Sequence, residues 1–182
     1  YVLGRYVFKG NKLVRNGFIT AMSLPQIMII LPLFSLATQA SLTGSKFVLI
    51  FIYIGMQVPY TTTFLISFFS SLSSVYEEAA AIDGCPPMKT FWKIMLPLAQ
   101  PGIVTVGIFN FMNIWNEYFL SLIFASSEKN MSVGPGLKSV LTAMQYTGDW
   151  VALFAALVVL VALLAGVPCL YSYLAYRAGG ED

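Results

Sequence analysis

Long apolar stretches alternate with short polar segments along this chain. Four windows stand out: Gly17–Thr38, Phe47–Phe69, Gly102–Phe124 and Val151–Leu174. Only the third holds a charged residue, Glu117. A bilayer core of roughly 30 Å needs about 20 apolar residues in a helix. The runs do not alternate as barrel strands would, and in lipid a helix satisfies its own backbone groups. The pattern therefore predicts an all-α, polytopic helical membrane protein with four transmembrane helices at 17–38, 47–69, 102–124 and 151–174. Pro25, Pro32, Pro59 and Pro168 fall within these windows. They read as packing kinks or as gating hinges.

The connecting segments orient the spans. Arg5, Lys9, Lys12 and Arg15 precede the first, Lys89 and Lys93 lie between the second and third, and Arg177 follows the last. These seven basic residues fall on one side, against three (Lys46, Lys129 and Lys138) on the other. By the positive-inside tendency, the N-terminal stretch, residues 70–101 and the C-terminus are cytoplasmic. The segment Ala125–Trp150 then faces outward. Tyr171, Tyr173 and Tyr176 fit the inner interfacial belt, and Trp150 fits the outer one.

Composition narrows the chemistry. Of 182 residues, 58% are hydrophobic and 10% charged, where soluble domains carry roughly 25% charge. A net charge of +2 excludes a strongly basic nucleic-acid binder. The absence of histidine removes Ser-His and Cys-His catalysis and every His-ligated metal site. Cys85 and Cys169 form neither a metal spacing nor a disulfide framework. No metal or cofactor is expected. Met22, Met28 and Met56 read as core filler.

Residues 73–97 hold the most informative stretch. Ser73 or Ser74 can cap a short helix whose first turn carries Glu77 and Glu78, near the positive end of its dipole. Ala79, Ala80 and Ala81 give high helix propensity with little bulk. Asp83-Gly84 ends the helix, glycine suiting a left-handed cap, and Pro86-Pro87 start a second one. On that helix Met88, Phe91, Trp92 and Met95 fall at i, i+3, i+4 and i+7, on one apolar face. The pair reads as a loop lying at the membrane surface. It is either simply amphipathic or a docking knob for another protein. Only the second alternative accounts for exposed alanines flanked by acids.

Asn110, Asn113, Glu117 and Ser121 lie at i, i+3, i+7 and i+11 of the third window. On a continuous helix they form one stripe facing a bundle interior or a watery path. Amides and a carboxylate there could bond solute hydroxyls, or bond neighbouring helices to each other.

Glu78-Ala79-Ala80, Asp83-Gly84, Phe91, Ile94, Leu96-Pro97 and Pro101 resemble the EAA loop of permease subunits of binding-protein-dependent ABC importers. The nearer likeness is to the carbohydrate-uptake group, the maltose-transporter-type second permease. Tyr1, Arg5, Phe8 and Gly10 resemble the stretch ending that group's second span. Trp115-Asn116-Glu117-Tyr118 resembles its Trp-Asn-acid-aromatic motif, and Trp150, Ala155-Ala156 and Pro168 its last span. The likeness runs along nearly the whole chain. Such permeases usually have six spans, and this chain shows four and a stub, so the first two are expected to be absent from it. Cys85 stands where alanine is usual, and the C-terminal residues differ from the usual tail.

The resemblance implies an ABC importer transmembrane domain over 1–182, multi-pass in the bacterial inner membrane, forming half of a sugar or oligosaccharide path. It implies that Glu77, Glu78, Ala79, Ala80, Asp83 and Gly84 couple to a cytosolic ATPase. Phe91, Ile94, Leu96 and Pro97 would anchor the loop, and Asn110, Asn113, Glu117 and Ser121 would line the path. The implied partners are ATPase subunits, a second permease subunit, an extracytoplasmic solute-binding protein, a sugar and the lipid bilayer, with no nucleic acid. No catalysis is expected in this chain, which lacks a Gly-x-x-x-x-Gly-Lys-[Ser/Thr] loop. The alternatives are an importer permease for a non-sugar solute, an ion-coupled secondary transporter, or a membrane-embedded enzyme. The last two want more clustered ionisable groups than Glu117 supplies.

Overall fold

The computed structural model describes residues 1–125, 132–147 and 150–178, and all regular elements among them are helical. Tyr1–Asn130 and Met131–Asp182 form separate compact units. The first holds α1 (Val2–Arg5), α2 (Asn11–Met22), α3 (Gln26–Gln39), α4 (Lys46–Ser71), α5 (Val75–Ile82) and α6 (Pro87–Thr90). A π-helical turn (Phe91–Met95), α7 (Leu96–Leu98), α8 (Gln100–Asn116) and α9 (Phe119–Phe124) complete it. The second holds α10 (Val133–Thr147) packed on α11 (Trp150–Ala178).

Within the first unit α4 is the central post, contacted by α1, α2, α8 and α9. Among the described residues it is the one helix long and apolar enough to cross a bilayer unbroken. The pair α2 and α3 reaches that length and hydropathy together but bends by 94°, and the segment Pro87–Leu98 with α8 does so with a 64° bend. Many large apolar side chains on α4 are exposed, among them Phe47, Phe51 and Ile54.

Two expected spans are therefore not single straight helices. The window 17–38 breaks at Ser23–Pro25. Pro25 offers no amide and disfavours a helical Leu24, and α2 closes with tight bonds from Ser23 N–H to Thr20 and Leu24 N–H to Ala21. Pro32 and Pro59, by contrast, sit inside continuous helices. The window 102–124 breaks at Glu117, whose backbone is extended at φ −75°, ψ 128°. The fourth window lies wholly within α11. The segment 125–150 contains α10, begun near Pro135 and carrying Leu137, Val140, Leu141 and Met144 at helical spacing.

Two apolar clusters hold the first unit. Ile30, Leu49, Ile52, Leu120 and Phe124 join α3, α4 and α9, and Gly44 N–H donates to the Phe124 carbonyl at 3.0 Å. Phe69, Met95 and Ala99 form the other, with Tyr1, Phe68, Phe91 and Ile94 packed around them. Helices approach closely at two glycines. A Cβ on Gly4 would lie 2.9 Å from the Ile66 carbonyl, and one on Gly102 would lie 2.5 Å from the Phe68 ring.

Gly4→Ala and Gly102→Ala should each cost about 1–3 kcal/mol by overpacking. Gly107→Ala, with nothing within 4 Å, should be neutral or slightly stabilising. Melting temperatures of the detergent-solubilised variants test this ranking.

Candidate functional site

The acid–alanine segment is helical as α5. Its N-terminal turn is supported by the Ser73 hydroxyl, which accepts from Val75 N–H at 3.3 Å, while Ser74 makes no side-chain cap. Its C-terminus is a Schellman turn. Cys85 N–H donates to the Ala80 carbonyl at 2.8 Å and Gly84 N–H to Ala81 at 3.0 Å. Gly84 has φ +70°, a left-handed conformation that glycine adopts without strain. Pro86 and Pro87 then open α6.

Glu78, Ala79, Ala81, Asp83 and Gly84 are exposed, while Ala80 is buried at 3%. The small-residue run thus splits. Ala79 faces outward, and Ala80 packs within the chain, contrary to a single close-packed docking face. The expected apolar stripe splits as well. Met88 and Trp92 are exposed, Met95 is fully buried and Phe91 half-buried. Phe91–Met95 is a π-helical turn with i to i+5 bonds, so residues four apart, rather than three, share a face. Ile94 and Leu96 are half-buried, Pro97 is exposed, and Phe91 and Ile94 join the Phe69–Met95 cluster.

Glu77 points away from the exposed face. Arg5 Nη2 forms a salt bridge with it, Arg5 Nε donates to Oε2 at 2.8 Å, and the Tyr1 hydroxyl donates to Oε1. Arg5 Nη1 donates to the Leu72 carbonyl at 2.8 Å and to Phe69 at 3.4 Å, closing the end of α4. The Tyr1 ring lies between Phe69 and Phe91, with centroids 5.4 and 4.9 Å away. Sequence reading placed Glu77 with the outward-facing acids and left Arg5 and Tyr1 out of the site. Their spacing at i and i+4 was the available signal.

The polar residues of the third window do not form one stripe. Asn110 on α8 donates to Thr61 on α4 at 2.8 Å, and its Oδ1 is buried with no partner among the described residues. It lines an open cleft of about 470 Å³ with Tyr53, Gln57 and Thr61. Asn113 lines another cleft, with Gln26, Gln57 and Tyr60. Glu117 sits in the break. It accepts from Leu120 N–H at 2.6 Å and Ser121 N–H at 3.2 Å, capping α9, and from the Tyr53 hydroxyl at 2.8 Å. Ser121 is fully buried on α9. Gln57, Thr61 and Tyr53 escaped sequence reading, although polar residues within an apolar window are a detectable signal. Among the described residues, no three His, Cys, Asp or Glu side chains gather as a metal site would require.

The family model described as "Binding-protein-dependent transport system inner membrane component" matches residues 1–179. The chain belongs to this family. It is 34% identical over 171 residues to the diacetylchitobiose uptake system permease protein NgcG of Streptomyces coelicolor, covering 94% of this chain and 57% of that one. It is also 34% identical to the sulfoquinovosyl glycerol transport system permease protein SmoH of Agrobacterium fabrum, covering 87% of this chain and 55% of that one. With the inner membrane ABC transporter permease protein YcjP of Escherichia coli the identity is 30%, over 95% and 59%. The chain thus spans a little over half the length of these curated relatives. The family is one of membrane transport components, not of enzymes, as the resemblance implied.

In this permease-family chain the Glu77 environment has a measurable consequence. Burial alone would raise its carboxyl, but bonds from Arg5 and Tyr1 and the Arg5 charge outweigh burial and hold it below its ordinary value of 4.5. The same hydrogen bond raises Arg5. A depressed carboxyl adds stability above its unfolded-state value and loses it as pH falls through the folded-state one. Glu77→Gln should therefore lower stability by about 1–3 kcal/mol at neutral pH. The difference from the parent should begin to close as pH falls below 4.5 and vanish once pH has passed through the lowered folded-state value. Paired melting curves across pH test both parts.

Proposed function

We propose that the chain is part of a permease subunit of a binding-protein-dependent ABC importer, forming half of the membrane path for a sugar or oligosaccharide. Its ATP hydrolysis occurs in separate cytosolic subunits that dock on α5. The observation that carries this reading is the exposed Glu78–Ala79 face of α5, ended by the left-handed Gly84 turn, in a chain of this family. A carboxylate beside a small residue lets a partner backbone approach while offering a directional bond to its cations. Exposed Val75, Ile82, Met88 and Trp92 flank it with apolar surface suited to a protein partner or the lipid interface.

The membrane is crossed by the broken pair α2–α3, by α4, by α8 continued through α9, and by α11. Residues 70–101 lie on the cytoplasmic side with the N-terminal stretch and the C-terminus. At 17 residues α8 rises about 25 Å, short of the hydrocarbon core, and α9 supplies the rest. A second permease subunit completes the path, and an extracytoplasmic binding protein delivers the solute. The relatives named for diacetylchitobiose and sulfoquinovosyl glycerol support a carbohydrate solute. So does the cleft lined by Tyr53, Gln57, Thr61 and Asn110, which offers neutral hydrogen-bonding groups.

In the full assembly, uptake should depend on ATP and not on a proton or sodium gradient, and an ATPase subunit should co-purify. Gly84→Pro cannot adopt the observed turn. It should lower solute uptake at least about tenfold while the protein still inserts, and Gly84→Ala should have a milder effect of about 1 kcal/mol. Undiminished solute-stimulated ATPase activity in the proline variant would count against docking through α5.

A further inference from the structure

The two adjacent acids of α5 occupy different environments. Glu78 is exposed, whereas Glu77 is turned onto Arg5, with side-chain exposures of 22% for Glu77 and 10% for Arg5. Resting on the permease reading above, we propose that Arg5, Tyr1 and Glu77 form a clasp that makes α5 move as one body with α1 and the end of α4. Glu77 is thereby a positioning residue and not an ATPase contact.

Three features carry this assignment. First, one guanidinium joins three elements. Arg5, at the end of α1, holds the α5 carboxylate through Nε and Nη2 and the last carbonyls of α4 through Nη1. It adds a direct tie from α5 to the end of α4 beyond the short connection 72–74 and the packing of α5 on α6 and the π-helical turn. Second, Tyr1 fixes the same carboxylate from its other oxygen, while its ring is held between Phe69 of α4 and Phe91 of the π-helical turn. Third, α1 cannot slide on α4. Gly4 lies against the Ile66 carbonyl, and the Ser70 hydroxyl donates to the Gly4 carbonyl at 3.0 Å. Displacement of α5 is therefore passed to α1 as well as along the chain through α6. From α1 it reaches α2 through a turn that buried Asn11 braces, its side-chain amide donating to the Tyr6 carbonyl at 2.7 Å.

The test uses the complete transporter, with ATPase, second permease and binding protein, reconstituted in vesicles. Arg5→Ala, Glu77→Gln and the double variant are compared for solute imported per ATP hydrolysed, and for the amount of ATPase subunit that co-purifies. The clasp predicts that each single change lowers import per ATP about tenfold, and that the double change is no worse than either single one. ATPase subunit should be retained at the parent level throughout. Arg5→Lys, keeping the charge without the fork, should fall between parent and Arg5→Ala. It also serves should Arg5→Ala fail to assemble. Additive losses, an unchanged import per ATP in Glu77→Gln, or loss of the ATPase subunit from Glu77→Gln alone would overturn the clasp while leaving the permease function intact. A parent assembly that binds no ATPase would overturn both.

Discussion

A helix that stops away from water leaves amides and carbonyls that must be bonded elsewhere, because each unpaired group costs about 1–3 kcal/mol. The first unit stops its helices at several such places, and its partly buried ionised groups lie at those ends. Arg5 closes the carbonyl end of α4. Glu117 closes the amide end of α9. Each agrees in sign with the helix dipole, cation at the C-terminus and anion at the N-terminus. Arg5 then uses its remaining donors on Glu77, and Glu117 its remaining capacity on Tyr53. The few charges that an apolar chain can carry inside are thus tied to where its helices break.

Much of the architecture could be read from hydropathy because that signal sums over many residues. The positions of α4 and α11, the helical acid–alanine segment and its Gly84 turn all follow from local composition. Breaks do not. Pro25 ends a helix and Pro59 does not, though both lie in apolar windows. What differs is whether the freed backbone finds partners, and that is set by tertiary neighbours. Pro59 frees the Gly55 carbonyl, yet α4 runs on through it, packed against α2 and α8. At Glu117 a helix-period count assumed continuity, so one residue in extended backbone moved Ser121 onto a separate helix from Asn110 and Asn113.

The same limit shaped the reading of α5. Glu77 and Glu78 are chemically identical and adjacent, and periodicity places them only 100° apart on the helix. Which one is left exposed depends on Arg5, 72 positions earlier in sequence. The alanines divide in the same way, since Ala80 is covered by the chain's own packing and Ala79 is not. Motif resemblance located the segment; only long-range contacts assigned its faces.

The use of Glu117 also bears on what the proposed path can recognise. A carboxylate that bonds two backbone amides and a tyrosine hydroxyl has most of its acceptor capacity filled. Binding a solute through it would uncap α9. The polar capacity left in the α4–α8 cleft is neutral: the Gln57 amide and the Thr61 and Tyr53 hydroxyls. Neutral donors and acceptors among apolar residues suit a hydroxyl-rich uncharged solute, which needs many weak bonds. An ion crossing the same cleft would have to shed its hydration without a charge to replace it. On the permease reading, the cleft therefore favours carbohydrate over ionic cargo because the one carboxylate near it is already committed to the backbone.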